Sequence, residues 1–327
     1  MIELLPNVNV DWLGKRKLFL IISTVLVGVG LIALILNGGF RYGVDFQGGT
    51  VLYVQFQSAP DVERIRNVLS EGGLGRSQIQ PMAGGGLDNA VLIQLEQTSD
   101  DVSDLGRGRE LVSQALNKDF QGKFDIVSSE SVGPKAGEDL RRQAVFATLY
   151  ALGGILIYMA FRFEWIYGAA AVFAVFHDVL ITLGMFSITQ REIDLTVIAA
   201  LLTLVGYQVN DTIVVFDRVR ENRKVNRRED LETALNKGIN ETMSRTIITA
   251  GLTFLAVLAL FLFGGSTLNS FAFALLIGQV VGTYSSIAIA APLVLIYTNL
   301  RGQAVPQVAA PARPVVSKTA RPKRVSS

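Results

Sequence analysis

The chain has no cysteine among its 327 residues. That excludes disulfide staples and any thiol or thiolate–zinc chemistry. It has no P-loop, no GxGxxG string ahead of a helix and no nucleophile–base set, so neither nucleotide hydrolysis nor covalent catalysis finds support. Charge is also missing over long stretches. Leu18–Leu36 and Ala144–Phe161 carry none, and neither does the whole of Thr246–Leu300. Trp165–Gln190 is interrupted only by His177 and Asp178, and Leu195–Phe216 only by Asp211.

What fills these stretches is apolar side chain: 50% of the residues are hydrophobic, and the mean hydropathy is +0.39. Crossing the hydrocarbon core takes roughly 20 mostly apolar residues. The run from Thr246 to Leu300 would be about 80 Å long as one helix, too long for a single span. The turn-forming string Gly264-Gly265-Ser266-Thr267-Leu268-Asn269-Ser270 divides it in two. The expectation is a polytopic α-helical membrane protein with six spans. The first span is too long for a typical signal-peptide core and reads as retained. Lys15-Arg16-Lys17 before it marks a cytoplasmic flank under the positive-inside rule. Residues 1–37 then form the cytoplasmic start and first span, and 38–140 an extracytoplasmic segment. Residues 141–300 form spans two to six with a cytoplasmic loop at 217–244, expected to hold one or two surface helices. Residues 301–327 form a basic, disordered cytoplasmic tail. Acidic residues outnumber basic ones outside and the tail carries only basic charge, in agreement; Arg141 and Arg142 run against the rule.

The outer segment reads as a small folded domain. Val51–Phe56 has the composition of a strand, and Asp61–Leu69 that of an amphipathic helix opened by an acidic cap. Gln78–Met82 and Ala90–Leu95 are two short strands separated by Gly84-Gly85-Gly86. Asp101–Asn117 is a second helix and Phe124–Val132 a last strand. The order β-α-β-β-α-β is the split βαβ pattern of a ferredoxin-like α+β domain.

Asp211 is the first candidate for function. An acid inside a span costs about 2.5–3.5 kcal/mol on insertion scales, and such residues usually serve ion or proton movement. Gly206, Tyr207, Gln208, Asn210 and Thr212 form a polar belt around it. The alternative is a buried ion pair that only fixes helix packing. Arg245, at the start of the fifth span, is its natural partner, although on the residues alone the reading that it merely flanks that span and snorkels to the headgroups comes first. His177 and Asp178 lie mid-span. Adjacent helical positions point about 100° apart, so the pair is not expected to face one site. They fit either a proton path or an interhelical polar lock. Gly278-Gln-Val-Val-Gly282 fits a small-xxx-small packing face. No metal, cofactor or nucleic-acid partner is expected.

Several strings carry a resemblance. They are Tyr42-Gly-Val-Asp-Phe-Gln-Gly-Gly49, Ser131-Val-Gly-Pro-Lys-Ala-Gly137, Gly206-Tyr-Gln-Val-Asn-Asp-Thr-Ile-Val-Val-Phe-Asp-Arg-Val-Arg-Glu-Asn222, Ser244-Arg-Thr-Ile-Ile-Thr249 and Gly282-Thr-Tyr-Ser-Ser286. In that order and spacing the chain resembles the smaller members of the SecD/SecF family, subunits of the bacterial Sec translocase. The resemblance implies a resistance-nodulation-division type half in the plasma membrane, paired with six spans of SecD about a pseudo-twofold axis. It implies partnership with the SecYEG channel, with YajC and YidC as further candidates. It also implies that protons drive late export of unfolded polypeptide. The family's proton-relay pair falls on Asp211 and Arg245, with Asn210, Thr212, Asp178 and His177 as polar support. Gln208 departs from the family's more usual serine. Two other classes stay open: a half-transporter for lipids or drugs, and a scaffold in which Asp211 is a packing lock.

Overall fold

The computed structural model describes residues 8–82, 89–96, 107–162, 165–226 and 228–301. The charge-poor runs are helices because a bilayer offers no partner to exposed backbone, so each span must satisfy its own N–H and C=O groups. Helix α1 is Arg16–Leu36, and a single turn, α2, is Val44–Gln47. After the outer domain come α5 (Pro134–Arg162), α6 (Trp165–Thr189), α7 (Leu195–Val225), α8 (Leu231–Phe263) and α9 (Gly265–Ser285). A π-helical segment, Ser286–Ala290, joins α9 to α10 (Ala291–Leu300). Among the described residues, six helical stretches are long and apolar enough to cross a membrane, with α9, the π segment and α10 together making the sixth.

Two boundaries differ from the sequence expectation. Among the described residues the 217–244 region holds no separate surface helix: α7 continues to Val225, and α8 begins at Leu231, where Asp230 accepts from Thr233 N at 3.3 Å. Cross-helix contacts hold the extensions together. Arg218 donates to Glu241 at 2.6 Å, and Gly238 lets the Val219 side chain approach so closely that a Cβ would sit 2.5 Å from it. The break between spans five and six is also sharper than a seven-residue turn. Only Gly264 lies between α8 and α9, and Gly265 follows at φ +73°, a left-handed geometry suited to glycine.

The outer domain comprises β1 (Gly49–Phe56), α3 (Val62–Glu71), β2 (Gln78–Met82), β3 (Ala90–Glu96), α4 (Arg107–Asn117) and β4 (Phe124–Val132). Its four strands are ordered β2-β3-β1-β4 and all neighbours are antiparallel. That is the split βαβ arrangement. Leu52, Val54, Ile93 and Leu95 of the sheet bury against Ile65, Leu69, Val112 and Leu116 of the helices. The three-glycine string and the start of the second helix, residues 101–106, lie outside the described residues. Gly49, at φ +146°, opens β1, and a Cβ there would lie 2.3 Å from the Leu95 carbonyl oxygen.

The domain is stitched to the bundle through the α6–α7 loop. Gly43 N donates to Ile193 O at 2.9 Å and Ile193 N to Arg41 O at 2.8 Å, while Gln94 reaches Glu192 at 3.1 Å. At the opposite end Trp12 donates to Asn236 and Asn240, and Arg16 pairs with Glu232 at 3.0 Å. The chain start and the α7–α8 connection therefore share one side of the bundle, away from the domain. Inside the bundle α6 and the sixth span, made of α9, the π segment and α10, are the most enclosed, α7 follows, and α1, α5 and α8 lie on the outside. Helix α1 meets α6 at Gly30 and Gly184, where a Cβ on either would sit 2.9 Å from the other's Cα. Gly184→Leu should force these backbones apart and cost about 1–3 kcal/mol. A detergent-solubilised variant melting at the wild-type temperature would show the crossing to be adaptable.

Candidate functional site

Helix α7 presents its polar belt by pitch. Gln208, Asp211, Thr212 and Val215 follow the i, i+3, i+4, i+7 stripe and all are buried. Asp211 is 7% exposed, whereas Asn210 lies on the open side of the helix. Thr212 Oγ1 donates back to Gln208 O at 3.3 Å. Gln208 Nε2 donates across to Gly278 O of α9 at 2.6 Å, and Tyr207 OH shares a hydrogen bond with Thr253 of α8 at 3.1 Å.

Gly278 and Gly282 do form the packing face expected of them. A Cβ on Gly278 would fall 2.1 Å from Leu204, and one on Gly282 would fall 2.1 Å from Gln208 Nε2. Gln208 is therefore a strut between α7 and α9, filling the space that the second glycine leaves. Its Oε1 is buried without a partner among the described residues.

Arg245 is on α8 and exposed. Pairings of Tyr207 with Thr253 and of Arg218 with Glu241 set the antiparallel register of α7 and α8. That register puts Arg245 opposite the turn after Asp211, roughly 5 Å along the axis. Among the described residues the two make no ion pair within 4.0 Å. The arrangement is a carboxyl and a guanidinium on neighbouring helices that are not bonded to each other, with Asn210 and Arg245 both open on the outside of the bundle.

His177 and Asp178 correct the sequence expectation, because they do meet. Asp178 Oδ1 lies 2.9 Å from His177 Nδ1. Each side chain has enough torsional freedom to bend toward the other across the 100° between them. Asp178 Oδ2 accepts from Ser285 Oγ of α9 at 2.6 Å, and Thr182 Oγ1 donates to Asp178 O at 2.8 Å. The sequence reading gave no role to Ser285, to Gln279, which donates to Ala250 O at 2.9 Å, or to Tyr284, which donates to Phe19 O at 2.8 Å. Polar side chains inside an uncharged span were the signal that marked them.

Such a fold, a six-span bundle with ionisable groups buried in its spans and a small α+β domain after the first, defines a polytopic membrane protein of the transport type. Residues 112–300 match the family profile "Protein export membrane protein SecD/SecF, C-terminal", and residues 33–60 match the "SecD/SecF GG Motif". The chain belongs to the SecD/SecF family. It is 46% identical to the protein translocase subunit SecF of Calditerrivibrio nitroreducens, covering 92% of this chain and 98% of that one. It is 41% identical to that of Koribacter versatilis, over 92% and 94% of the two chains. A crystal structure of SecDF from Thermus, a translocon-associated membrane protein, superposes with a TM-score of 0.78 at 39% identity. That match covers 90% of this chain but spans only 39% of the SecDF chain. A SecDF structure in a super-membrane-facing form gives a TM-score of 0.65 at the same 39% identity, over 93% of this chain and 40% of that one.

The strut generates a prediction. Gln208→Ala removes one interhelical hydrogen bond, worth about 0.6 kcal/mol on average inside a membrane. Gly282→Ala in the wild-type background adds a methyl where the amide already sits and should destabilise more. Combined, the two should be less harmful than the sum of their separate effects, because the methyl then occupies space the glutamine vacated. Additive melting shifts in a double-mutant cycle would show that the two residues do not compete for one volume.

Proposed function

We propose that this chain is the SecF half of a SecDF assembly, which couples the proton-motive force to late steps of polypeptide export through the SecYEG channel. Asp211 is the proton carrier in this reading and Arg245 its charge partner. Asn210 and Thr212 hydrate the path, and His177 and Asp178 brace it. The partner is SecD, set across a pseudo-twofold axis, with YajC and YidC as further associates and unfolded polypeptide as the substrate. Residues 38–140 lie outside the bacterial plasma membrane; both termini, the 217–244 region and the basic tail at 301–327 lie inside.

The observation that supports this reading best is the pairing at a distance. Asp211 is buried on α7 while Arg245 stands one turn away on α8, unbonded to it. A lock would bond the two directly; an exchanging pair needs a gap that a proton can enter. The exposure of Asn210 and Arg245 also supports a partner, since polar groups facing lipid are costly and a second half would cover them. So does the SecDF structure, whose chain is more than twice as long as the stretch this one matches.

One proton crossing a 100 mV potential releases about 2.3 kcal/mol. Protonating Asp211 would weaken its attraction to Arg245 and free α7 and α8 to shift. Asp211→Asn should abolish the proton-dependent part of export in inverted membrane vesicles while the protein still inserts and binds SecD. Export at the wild-type rate in that variant, or export indifferent to collapse of the gradient, would leave only the scaffold reading. Arg245→Lys keeps the charge and loses the planar fork. It should retain part of the coupling, whereas Arg245→Ala should retain none.

A further inference from the structure

At the end of the bundle away from the α+β domain, four helix ends enclose a cavity of about 280 Å³. Trp165 and Tyr167 come from the first turn of α6, Arg223 from the last turn of α7, and Leu231 from the start of α8. The end of α10 and the residue after it add Tyr297, Thr298 and Arg301. The inner wall is apolar: Tyr167 is buried and meets the Phe216 ring at 4.9 Å between centres. The rim is not. Trp165 is 59% exposed, Arg223 is half-buried and Arg301 is open. Arg301 lies over the Tyr297 ring, with its Cζ 4.7 Å from the ring centre. Stacking holds that guanidinium by its face and leaves its in-plane N–H donors available.

The charge of this rim is unanswered. Among the described residues the lining holds no carboxylate, neither arginine makes an ion pair within 4.0 Å, and Trp165 Nε1 has no hydrogen-bond partner. Described acids of α7 and α8 at this end are engaged elsewhere. Asp217 pairs with Arg162 at 3.6 Å, Glu221 and Glu241 with Arg218 at 2.6 Å, and Glu232 with Arg16 at 3.0 Å. In the turn between these helices Asp230 caps α8, and Glu229 neither lines the cavity nor pairs with its arginines. Two planar donors beside an indole N–H call for an anion with several oxygens. The setting selects which anion. Trp and Tyr favour headgroup depth, where one end is apolar and the other wet. Leu300, directly before Arg301, is 81% exposed, so a surface for hydrocarbon adjoins the site. Pockets that enclose a whole small ligand run to about 300–1,000 Å³. This one therefore admits a headgroup and leaves acyl chains outside. Basic pockets between spans hold anionic lipid headgroups in this manner.

We propose that this cavity binds the phosphodiester headgroup of an anionic phospholipid, drawn from the leaflet on the side away from the α+β domain. Arg223 and Arg301 grip the phosphate oxygens as planar forks, and Trp165 donates its indole N–H beside them. The acyl chains pass Trp165 and Leu300 into the bilayer. Two guanidinium charges with no lining carboxylate disfavour a headgroup that brings its own ammonium, so the site discriminates by repulsion as well as attraction. A bound headgroup ties the ends of α6, α7 and α10 together. The site stands apart from the Asp211 reading and would hold were that relay disproved.

Native mass spectrometry of the full chain in mild detergent, titrated with phosphatidylglycerol or phosphatidylcholine, reads retained lipid directly. Phosphatidylglycerol should be retained about tenfold more tightly than phosphatidylcholine, and Arg223→Gln with Arg301→Gln should remove that preference. Lys224→Gln takes charge from an exposed neighbour outside the cavity and should leave the preference intact. Arg223→Lys with Arg301→Lys keeps both charges without the forks and should retain only part of it. Inorganic phosphate at the same concentration should not displace the lipid. Displacement would assign the cavity to a soluble anion and overturn the proposal. Equal retention of the two lipids would also overturn it, as would a preference that survives the glutamine pair or is lost equally in Lys224→Gln. Should the glutamine pair fail to fold, the lysine pair decides: a full wild-type preference there would show that diffuse charge suffices and that no phosphate fork exists.

Discussion

The bundle depends on α9, a helix without charge that is nevertheless hydrogen-bonded to four others. Gly278 O accepts from Gln208 of α7, Gln279 donates to Ala250 O of α8, Tyr284 donates to Phe19 O of α1, and Ser285 donates to Asp178 of α6. Lipid provides no hydrophobic drive for helices to associate, so close packing and interhelical hydrogen bonds must do it. Helix α9 supplies both, glycines on one face and amides or hydroxyls on the others. Because each bond ends on a backbone carbonyl or a buried carboxylate, a small rotation of α9 disturbs four interfaces together. Helix α9 is consequently the element that touches both the Asp178 cluster and the polar belt around Asp211.

The π segment after Ser285 has a cause in the sequence. Pro292 carries no N–H, so the carbonyl of Ala288 loses its usual i+4 donor, and the proline ring crowds that same turn. Widening the preceding turn relieves the crowding, and Ser286 Oγ donates to Thr283 O at 3.1 Å as a local supplement. Membrane helices tolerate such irregularity only where it is enclosed by protein. The whole segment apart from Ile287 is buried. An irregular turn therefore lies directly beside Asp178, the most deeply buried acid among the described residues.

Much of this was legible beforehand, for physical reasons that differ by element. Spans show because solvation in lipid demands uninterrupted apolar runs, and the strand and helix order of the outer domain shows because its periodicities change from two to 3.6. Asp211 stood out because a lone acid in such a run is rare. What stayed hidden required knowing which helix faces which. Asp61 could be read as a helix cap, but nothing local says that Ser285 of α9 reaches Asp178 of α6. The 100° rule for neighbours misled at His177 and Asp178, since it describes Cα–Cβ directions and not where a side chain ends after two torsions. The extension of α7 and α8 past the apolar runs was obscured because charged helix and charged loop look alike in composition.

The bond network also constrains how motion in the spans would reach the outer domain. The root of the domain at Tyr42–Gly43 bonds to Ile193, Leu195 N donates to Asp45 at 3.0 Å, and Asp194 caps α7 through Val197 N at 2.8 Å. Arg191 is anchored separately: it donates to Asn269 at 2.6 Å and lies 4.4 Å from the centre of the Phe273 ring. The α6–α7 loop is thus fixed to α7, to the domain and to the start of α9 at once. Chain order alone suggests a connection through α1 and α5 only. With the loop bonded as it is, axial displacement of α7 must either carry the domain's root along or break three backbone-linked hydrogen bonds, at about 1 kcal/mol each. That total is close to the roughly 2.3 kcal/mol of one proton at 100 mV. Under the proposed proton coupling, breaking the latch would dissipate what a proton supplies, and moving the domain with α7 is the less costly course.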